Sequence, residues 1–160
     1  MIKLNLGCGL DKREGYVNVD VRRDLNPDVA VDLEKELLSR WGDGTIEEIL
    51  AKDFLEHLSW RRVRDFLKDC HRCLKKGGKL LIQTPDLEAI AKKFVLDLQY
   101  SGDFEELSYW VYGCQDYPEN LHKAGFTIQA MKKLLEEIGF QVLEIRGDGG
   151  TNMLVTAVKT

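Results

Sequence analysis

Three aspartates and a glycine-rich turn are the residues of this sequence whose types and spacing best suit the binding of a small polar ligand. The turn is Gly7-Cys8-Gly9, and the aspartates are Asp20, Asp32 and Asp53. Each aspartate lies at or near the end of a short apolar run that predicts a β-strand. Because ligands of open α/β sheets bind outside the carboxyl ends of the strands, these groups predict one shared binding site.

The types of group at these strand ends predict a nucleoside ligand that carries no phosphates. Asp20 is suited to accept two hydrogen bonds from a vicinal ribose diol, and Asp32 to accept one from an exocyclic amine such as that of adenine. Any one of these aspartates could instead be a loop or helix cap. A dinucleotide site needs a third glycine and a helix that faces the pyrophosphate, but Lys12 stands where that glycine would fall. A nicotinamide-dependent oxidoreductase is therefore the less favoured alternative.

Two histidines are the candidates for a catalytic base, with Asp53 and Glu56 as lesser ones. His57 directly follows the fourth predicted strand, at the edge where the ligand would bind, although it could equally hold the following helix by a structural hydrogen bond. His122 precedes the last predicted helix, in a segment that either closes over the site or braces the sheet. The aromatic residues of 109–117, with Gln115, form either a pocket wall or a small separate core, and we favour the core.

The cysteines do not predict a metal site. Cys70 and Cys73, with His71 between them, would share the apolar face of a helix. A zinc site would need two more ligands, and Cys114 is the further thiol that the chain offers. We therefore predict that Cys70 and Cys73 are free thiols buried as small hydrophobic residues, and that the protein binds no metal.

Taken in order along the chain, the motifs resemble those of the class I S-adenosylmethionine-dependent methyltransferases, and in particular small members of a type-11-like subgroup. The motifs are Leu4-Asn5-Leu6-Gly7-Cys8-Gly9, Asn18-Val19-Asp20, Val31-Asp32-Leu33, Leu55-Glu56-His57 within residues 51–58, Leu74-Lys75-Lys76-Gly77-Gly78 and Ile138-Gly139-Phe140. One lysine of the fifth motif replaces the proline that is usual in this family. The resemblance covers essentially the whole chain.

This resemblance implies S-adenosylmethionine as the cofactor and S-adenosylhomocysteine as the product. It places the backbone of Gly7, Cys8 and Gly9 against the methionine part, and the backbone near Ala51, with Asp53, against its amino group. Asp20 would take the ribose hydroxyls, Val21 would lie beside the adenine, and Asp32 and the Leu33 backbone would bind the adenine edge. Cys8 needs no chemical role of its own.

The elements that must position these groups form an α/β fold, a three-layer Rossmann-like sandwich with a mostly parallel sheet and an antiparallel strand in a C-terminal hairpin. The predicted strands are 2–6, 16–21, 28–32, 46–54, 79–83, 140–145 and 153–158. Helices are predicted over 33–41, from an N-cap at Ser59 to a stop at Gly77, from residue 85, and from Thr127 to Gly139. Residues 10–15 are too few for a crossover helix, so the first helix is reduced to a turn or the connection is irregular.

Length and charge narrow the class of protein. The 160 residues fit one domain, 1–160, and a net charge of −4 argues against nucleic acid as a partner. We expect a cytoplasmic protein with no membrane association, because no apolar run or signal peptide is evident. The substrate would be a small molecule or a saccharide. An active methyltransferase and a cofactor-binding module that needs a partner, either a second copy or another protein, both remain open.

Overall fold

The computed structural model describes residues 2–36, 38–96 and 102–160. Its seven-stranded sheet has the order β3-β2-β1-β4-β5-β7-β6. The first five strands of that order are parallel, and β7 is antiparallel to both β5 and β6. The strands are β1 Ile2–Leu6, β2 Val17–Asp20, β3 Val29–Ala30, β4 Ile46–Lys52, β5 Leu74–Pro85, β6 Phe140–Gly147 and β7 Asn152–Lys159. The predicted Rossmann-like α/β class and its terminal hairpin are confirmed.

The described residues form four α-helices, two of which pack beside each other on the sheet. They are α1 Trp60–Cys73, α2 Leu87–Leu96, α3 Phe104–Tyr112 and α4 Ile128–Ile138. Helix α1 buries Phe66, Cys70 and Cys73, so the two cysteines are core residues as predicted. None of the helices in the described ranges has the length and hydropathy needed to cross a membrane.

The two faces of the sheet have different chemistry. Leu6 is in register with Val19 and Ala51, and these fully buried side chains belong to the main hydrophobic core. On the opposite face Asn5 is in register with Asn18 and Leu50. The core therefore lies mainly on one face, and polar side chains occupy the middle of the other.

The connection from β1 to β2 contains no helix, as its length predicted. Loop residues 8–16 instead lie against the polar face, where Asn5 Nδ2 donates to Asp11 O at 2.7 Å and to Asn18 Oδ1 at 3.0 Å. Asn18 Oδ1 also accepts from the Arg13 amide. Buried amide side chains thus hold the loop where a crossover helix would normally pack.

One predicted helix is not formed, and another ends earlier than predicted. Residues 33–36 and 38–41 form turns rather than a helix, because Asp69 Oδ2 captures the Leu38 amide and leads the chain away from a helical path; Leu37 lies outside the described residues. Helix α1 ends at Cys73, well before Gly77, because Leu74 is already in register with Ile46 in the sheet. Because Leu74 packs inside the sheet, its tertiary contacts outweigh the intrinsic preference of leucine for a helix.

The helix caps were predicted better than the helix lengths. Ser59 Oγ accepts from the Arg61 amide, Thr127 Oγ1 accepts from the Ala130 amide, and Gly139 ends α4 in the left-handed conformation, all as expected. Helix α3, capped by Asp103, occupies part of the stretch that was predicted to be irregular.

Candidate active site

A cavity of about 330 Å³ opens at the carboxyl ends of β1, β2 and β4, and we call it the aspartate cavity. Seven of the nine predicted cofactor-binding residues line it: Gly7, Gly9, Asp20, Val21, Asp32, Leu33 and Asp53. Its volume lies at the lower end of the range of small-molecule sites, about 300–1,000 Å³. The structure therefore brings together the groups that the sequence placed at successive strand ends.

Two predicted cofactor-binding residues do not line the aspartate cavity. The Cys8 side chain is buried, and burial raises the pKa of its thiol to about 11, so it stays protonated. Ala51 is a fully buried member of the core on the other side of the strand end. Any role that these two residues have toward a cofactor is limited to their backbone.

Asp20 joins the glycine-rich turn to the cavity. Its Oδ2 accepts from the Gly9 amide at 2.7 Å and its Oδ1 from the Arg22 amide at 2.8 Å. A carboxylate has about four acceptor positions, so these two bonds leave capacity for hydroxyl groups of a ligand. Asp20 therefore shapes the loop from the end of β2 and faces the cavity with the same group.

Asp32 is held as a carboxylate at the far side of the cavity. Burial alone would raise its pKa, but the Lys35 ammonium at 2.8 Å and the Glu34 amide at 3.0 Å hold the pKa below its ordinary value. The group is therefore ionised at neutral pH, and it can accept a hydrogen bond from an amine of a ligand.

The predicted histidines lie together after β4. His57 belongs to the 3₁₀ turn Leu55–His57, and its ring centroid is 5.2 Å from that of His122. His57 Nδ1 lies 3.1 Å from the backbone oxygen of Leu121. Because a carbonyl oxygen only accepts, the proton is on Nδ1, and Nε2 carries the lone pair.

The groups beside this histidine pair have displaced pKa values. Burial raises the pKa of Glu56 to about 7, although Thr84 Oγ1 donates to its Oε2 at 2.8 Å. Burial also lowers the pKa of both histidines and raises that of Asp53. Both imidazoles are therefore neutral at pH 7.

The segment of residues 113–123 supplies part of the site, which is the less favoured of the two alternatives that the sequence left open for its aromatic residues. Lys123 and Ala124 donate their amides to Glu56 O, which fixes the segment to the turn after β4. The Tyr117 ring lies 4.1 Å from the Arg22 guanidinium carbon, and Tyr117 lines the aspartate cavity. The expectation of a separate aromatic core is therefore wrong for Tyr117, and the aromatic-rich composition was the available signal for a pocket wall.

A second cavity, also of about 330 Å³, lies on the other side of the histidine pair, and we call it the aromatic cavity. Its walls come from the starts of α1 and α2, the end of α3 and the loop before α4. They comprise Trp60, Pro85, Leu87, Val111, Tyr112, His122, Lys123, Ala124 and Gly125. Lys123 lines both cavities, so the two spaces adjoin.

The lining of the aspartate cavity fits S-adenosylmethionine. Five carboxylates and three cationic side chains line it, a balance that suits a sulfonium with an amine and opposes a pyrophosphate. A Cβ built on Gly9 meets nothing but Arg22 Nη2 at 3.6 Å, so the turn leaves open space where a ligand could approach the backbone. Val31, Leu33 and Leu58 supply apolar wall for a purine ring.

Comparison with known proteins shows the same fold and family. The sequence model of a family described as "methyltransferase domain" matches residues 10–145. No curated protein matches the sequence significantly. A S-adenosylmethionine-dependent methyltransferase of Archaeoglobus fulgidus superposes with a TM-score of 0.66 at 15% identity, over 98% of this chain and 85% of that one.

Two further solved structures show what proteins of this fold have been seen to bind. A Burkholderia thailandensis 1,6-didemethyltoxoflavin-N1-methyltransferase, with its substrate and S-adenosylhomocysteine bound, has a TM-score of 0.62 at 14% identity, over 99% of this chain and 71% of that one. A Haloferax volcanii methyltransferase in complex with the Trm112 activator has a TM-score of 0.64 at 11% identity, over 98% of this chain and 81% of that one. The predicted family, enzyme class and cofactor are thereby confirmed, and the chain belongs to the methyltransferase domain family, with the fold of the S-adenosylmethionine-dependent enzymes.

Proposed function

We propose that this protein transfers the methyl group of S-adenosylmethionine, bound in the aspartate cavity, to a small-molecule acceptor in the aromatic cavity. The observation that carries the proposal is the position of the His57–His122 pair, which lies where the two cavities adjoin. A donor site and an acceptor site must meet at the reacting atoms, and at this pair and Lys123 the linings of the two cavities come together.

The cofactor residues have distinct roles in this proposal. Asp20 and Asp32 bind the ribose hydroxyls and the adenine amine, and Asp53 lies toward the amino group of the methionine part. Tyr117 covers the ligand from the segment of residues 113–123, held there by its contact with Arg22. S-adenosylmethionine, when bound, supplies an electrophilic methyl group, so the protein mainly has to align the acceptor and exclude water.

His57 is the residue best placed to accept a proton from the acceptor. Its Nδ1–H donates to Leu121 O, so its Nε2 is the basic nitrogen, and burial keeps the ring neutral by lowering its pKa. Asp53 lines the same cavity and can take that proton in its place. His122 shapes the wall between donor and acceptor.

The acceptor is a small molecule with an apolar or ring-shaped face. Trp60, Leu87 and Tyr112 line the aromatic cavity, and among the described residues its lining holds one cation, Lys123, and no carboxylate. Such a lining suits a planar or sugar-like ring that stacks on aromatic side chains. The net charge of −4 gives no support for a nucleic-acid acceptor.

Calorimetry with S-adenosylmethionine, S-adenosylhomocysteine and NAD tests the cofactor assignment. We expect the two adenosyl ligands to bind and NAD not to bind. Asp20→Ala should weaken S-adenosylhomocysteine at least about tenfold, because a charged acceptor of two hydroxyl groups is lost. Asp24→Ala, an exposed aspartate that lines neither cavity, is the matched control. Unchanged affinity in Asp20→Ala and Asp32→Ala would contradict the assignment.

Radiolabelled methyl transfer into a pool of small metabolites tests the activity. His57→Ala should reduce the rate of transfer by a larger factor than it weakens S-adenosylhomocysteine binding, because His57 also lines the aspartate cavity. If His57→Ala and Asp53→Asn both left turnover intact, neither residue would be the base.

A second candidate function, a cofactor-binding module that acts with a partner protein, is supported by the surface of α2 and α3. Val95, Leu96 and Phe104 are each more than two-thirds exposed, and Tyr109 is half-exposed beside them. Apolar surface of this kind is typical of an interaction site. Transfer that is absent from the purified chain and appears only on adding a fraction of the cell extract would favour this candidate over the first.

A further inference from the structure

Glu56, His57 and His122 form a cluster whose chemistry goes beyond a catalytic base. One ligand atom from each of the three side chains lies within 4.8 Å of the others, and His57 Nε2 is 4.0 Å from Glu56 Oε1. Two imidazoles and one carboxylate are a donor set that binds divalent transition metals. Metal–ligand bonds of about 2.1 Å place neighbouring ligand atoms roughly 3–3.5 Å apart, so small side-chain rotations would close the site.

The surroundings of the cluster orient its members as metal ligands are usually oriented. His57 gives its Nδ1 proton to a backbone carbonyl, which leaves Nε2 with its lone pair beside Glu56. The His122 ring lies beside the backbone of Trp110 and Val111 at the end of α3. Thr84 donates to the Glu56 carboxylate at 2.8 Å from β5. Hydrogen bonds of this kind fix the tautomer and the rotamer of ligands in metalloproteins.

The burial of the Glu56 side chain is energetically unfavourable unless a cation lies beside it. The side chain is 2% exposed, and a buried carboxylate costs free energy unless a cation or several hydrogen bonds compensate it. Lys123 donates its backbone amide to the Glu56 carbonyl, while its ammonium lies 3.9 Å from Glu34. A bound dication would supply the missing positive charge.

We propose that Glu56, His57 and His122 bind one divalent transition-metal ion between the two cavities, and that open coordination positions of this ion hold an oxygen atom of the methyl acceptor. This site could not be expected from the sequence, because its third ligand lies 65 residues after the second. The second half of the proposal rests on the proposed methyl transfer, and in the metal-bound protein His57 Nε2 is a ligand while Asp53 takes the role of the base. It narrows the acceptor to a molecule with a hydroxyl or carboxyl oxygen, since such ions bind oxygen ligands and make a bound hydroxyl more acidic.

Cobalt(II) titration of the chelator-treated protein tests the metal site without any need for activity. The background variant is Cys114→Ser, because Cys114 is the exposed thiol and would itself bind metal. We expect one equivalent of Co²⁺ to give visible absorption bands with a dissociation constant in the micromolar range or below. His57→Gln and His122→Gln should each weaken binding at least about 100-fold, because loss of a ligand costs more than loss of its hydrogen-bond partner.

His71→Gln is the matched control, since His71 packs against Phe140 away from the cluster. It should bind Co²⁺ as the background variant does. Weak or multiple binding in the background variant, or equal affinity in His122→Gln and His71→Gln, would overturn the metal site. Far-ultraviolet circular dichroism of each variant confirms that the fold is retained.

Calorimetry separates a failure of this inference from a failure of the proposed function. S-adenosylhomocysteine binding to the aspartate cavity should survive chelation and the His122→Gln substitution. If it does so while Co²⁺ does not bind, the metal site is wrong and the cofactor assignment stands. If Co²⁺ binds but no methyl transfer is found with oxygen acceptors, the ion site stands and its role toward the acceptor is wrong.

Discussion

At the scale of single residues, several groups of the site have a structural and a chemical role at once. Asp20 holds the amides of Gly9 and Arg22 and presents the same carboxylate to the cavity. His57 fixes the segment of residues 113–123 through Nδ1 and keeps Nε2 for chemistry. Substitution of either residue therefore disturbs geometry as well as function, and affinity and stability must be measured together.

Gly113 gives a prediction about the placement of His122. Its φ is +82°, and a Cβ at this position would lie 2.5 Å from Asn120 O and 3.0 Å from His122 Cδ2. Gly113→Ala should therefore move the His122 segment, lower the rate of methyl transfer, and cost about 2–4 kcal/mol of unfolding free energy through backbone strain and the close contact together. Urea denaturation and the radiolabel assay measure the two effects.

Gly77→Ala is the control for this substitution. Its φ of +74° also lies in the region that favours glycine, but no atom of the described residues lies within 4 Å of the added Cβ. We expect about 1 kcal/mol of destabilisation and normal transfer for this variant. If Gly113→Ala and Gly77→Ala lost the same amount of stability and of methyl-transfer rate, the close approach of Gly113 to His122 would not contribute to either.

At the scale of elements, the most unusual part of the fold is the β1–β2 connection, which lacks a helix. Asp28 stabilises it from the far side, because its Oδ2 accepts from the Asn18 amide at 2.7 Å and from Asn18 Nδ2 at 2.9 Å. Asn18 in turn holds Arg13 and Asn5 in the loop. A chain of polar contacts thus replaces the packing of a crossover helix.

Asp28→Asn tests this series of polar contacts through the pH dependence of stability. The two bonds from Asn18 lower the pKa of Asp28 below its ordinary value, so the unfolded chain takes up the proton first as pH falls. The stabilisation is therefore fully present above the unfolded pKa of about 3.9 and is lost as pH falls through the lower pKa of the folded state. We expect the wild type to be more stable than Asp28→Asn at pH 5–8, and the difference to shrink below about pH 4.

Urea unfolding at several pH values measures this difference. Asp24→Asn, an exposed neighbour in the same segment, should stay within about 0.5 kcal/mol of the wild type throughout. A difference between wild type and Asp28→Asn that persisted unchanged down to pH 2 would show that the ionised carboxylate is not what holds Asn18.

The strands and the strand-end residues could be predicted from sequence because each is decided locally. Short apolar runs define strands, and the polar residue that ends a run must lie at the sheet edge, as Asp20 and Asp32 do. Residues 33–41 were predicted wrongly because a distant side chain, Asp69, decides the path there. The contribution of Tyr117 to the aspartate cavity was equally hidden, since it depends on a contact with Arg22 across most of the chain.

At the scale of the whole molecule, the site joins strand ends from the first part of the chain to a loop that lies far from them in sequence. The aspartate cavity takes its floor from strand ends within the first 58 residues and one wall from residues 117–123. The wall is held to the floor by the amides of Lys123 and Ala124 on Glu56 O and by the ring of Tyr117 on Arg22. A ligand between them should therefore stabilise both parts together, because opening either one would release it.

Hydrogen exchange with and without S-adenosylhomocysteine tests this coupling. At a ligand concentration 100 times its dissociation constant, exchange through ligand-releasing openings should slow by about 100-fold, equivalent to about 2.7 kcal/mol. We expect this protection for the amides of Lys123 and Ala124 as well as for those of Gly9 and Arg22. The Gly44 amide, which donates to Arg72 O near the opposite end of β4, is the internal control and should change little. Protection confined to Gly9 and Arg22, with residues 113–123 unchanged, would show that the later segment is not part of the cofactor site and that the two parts open independently.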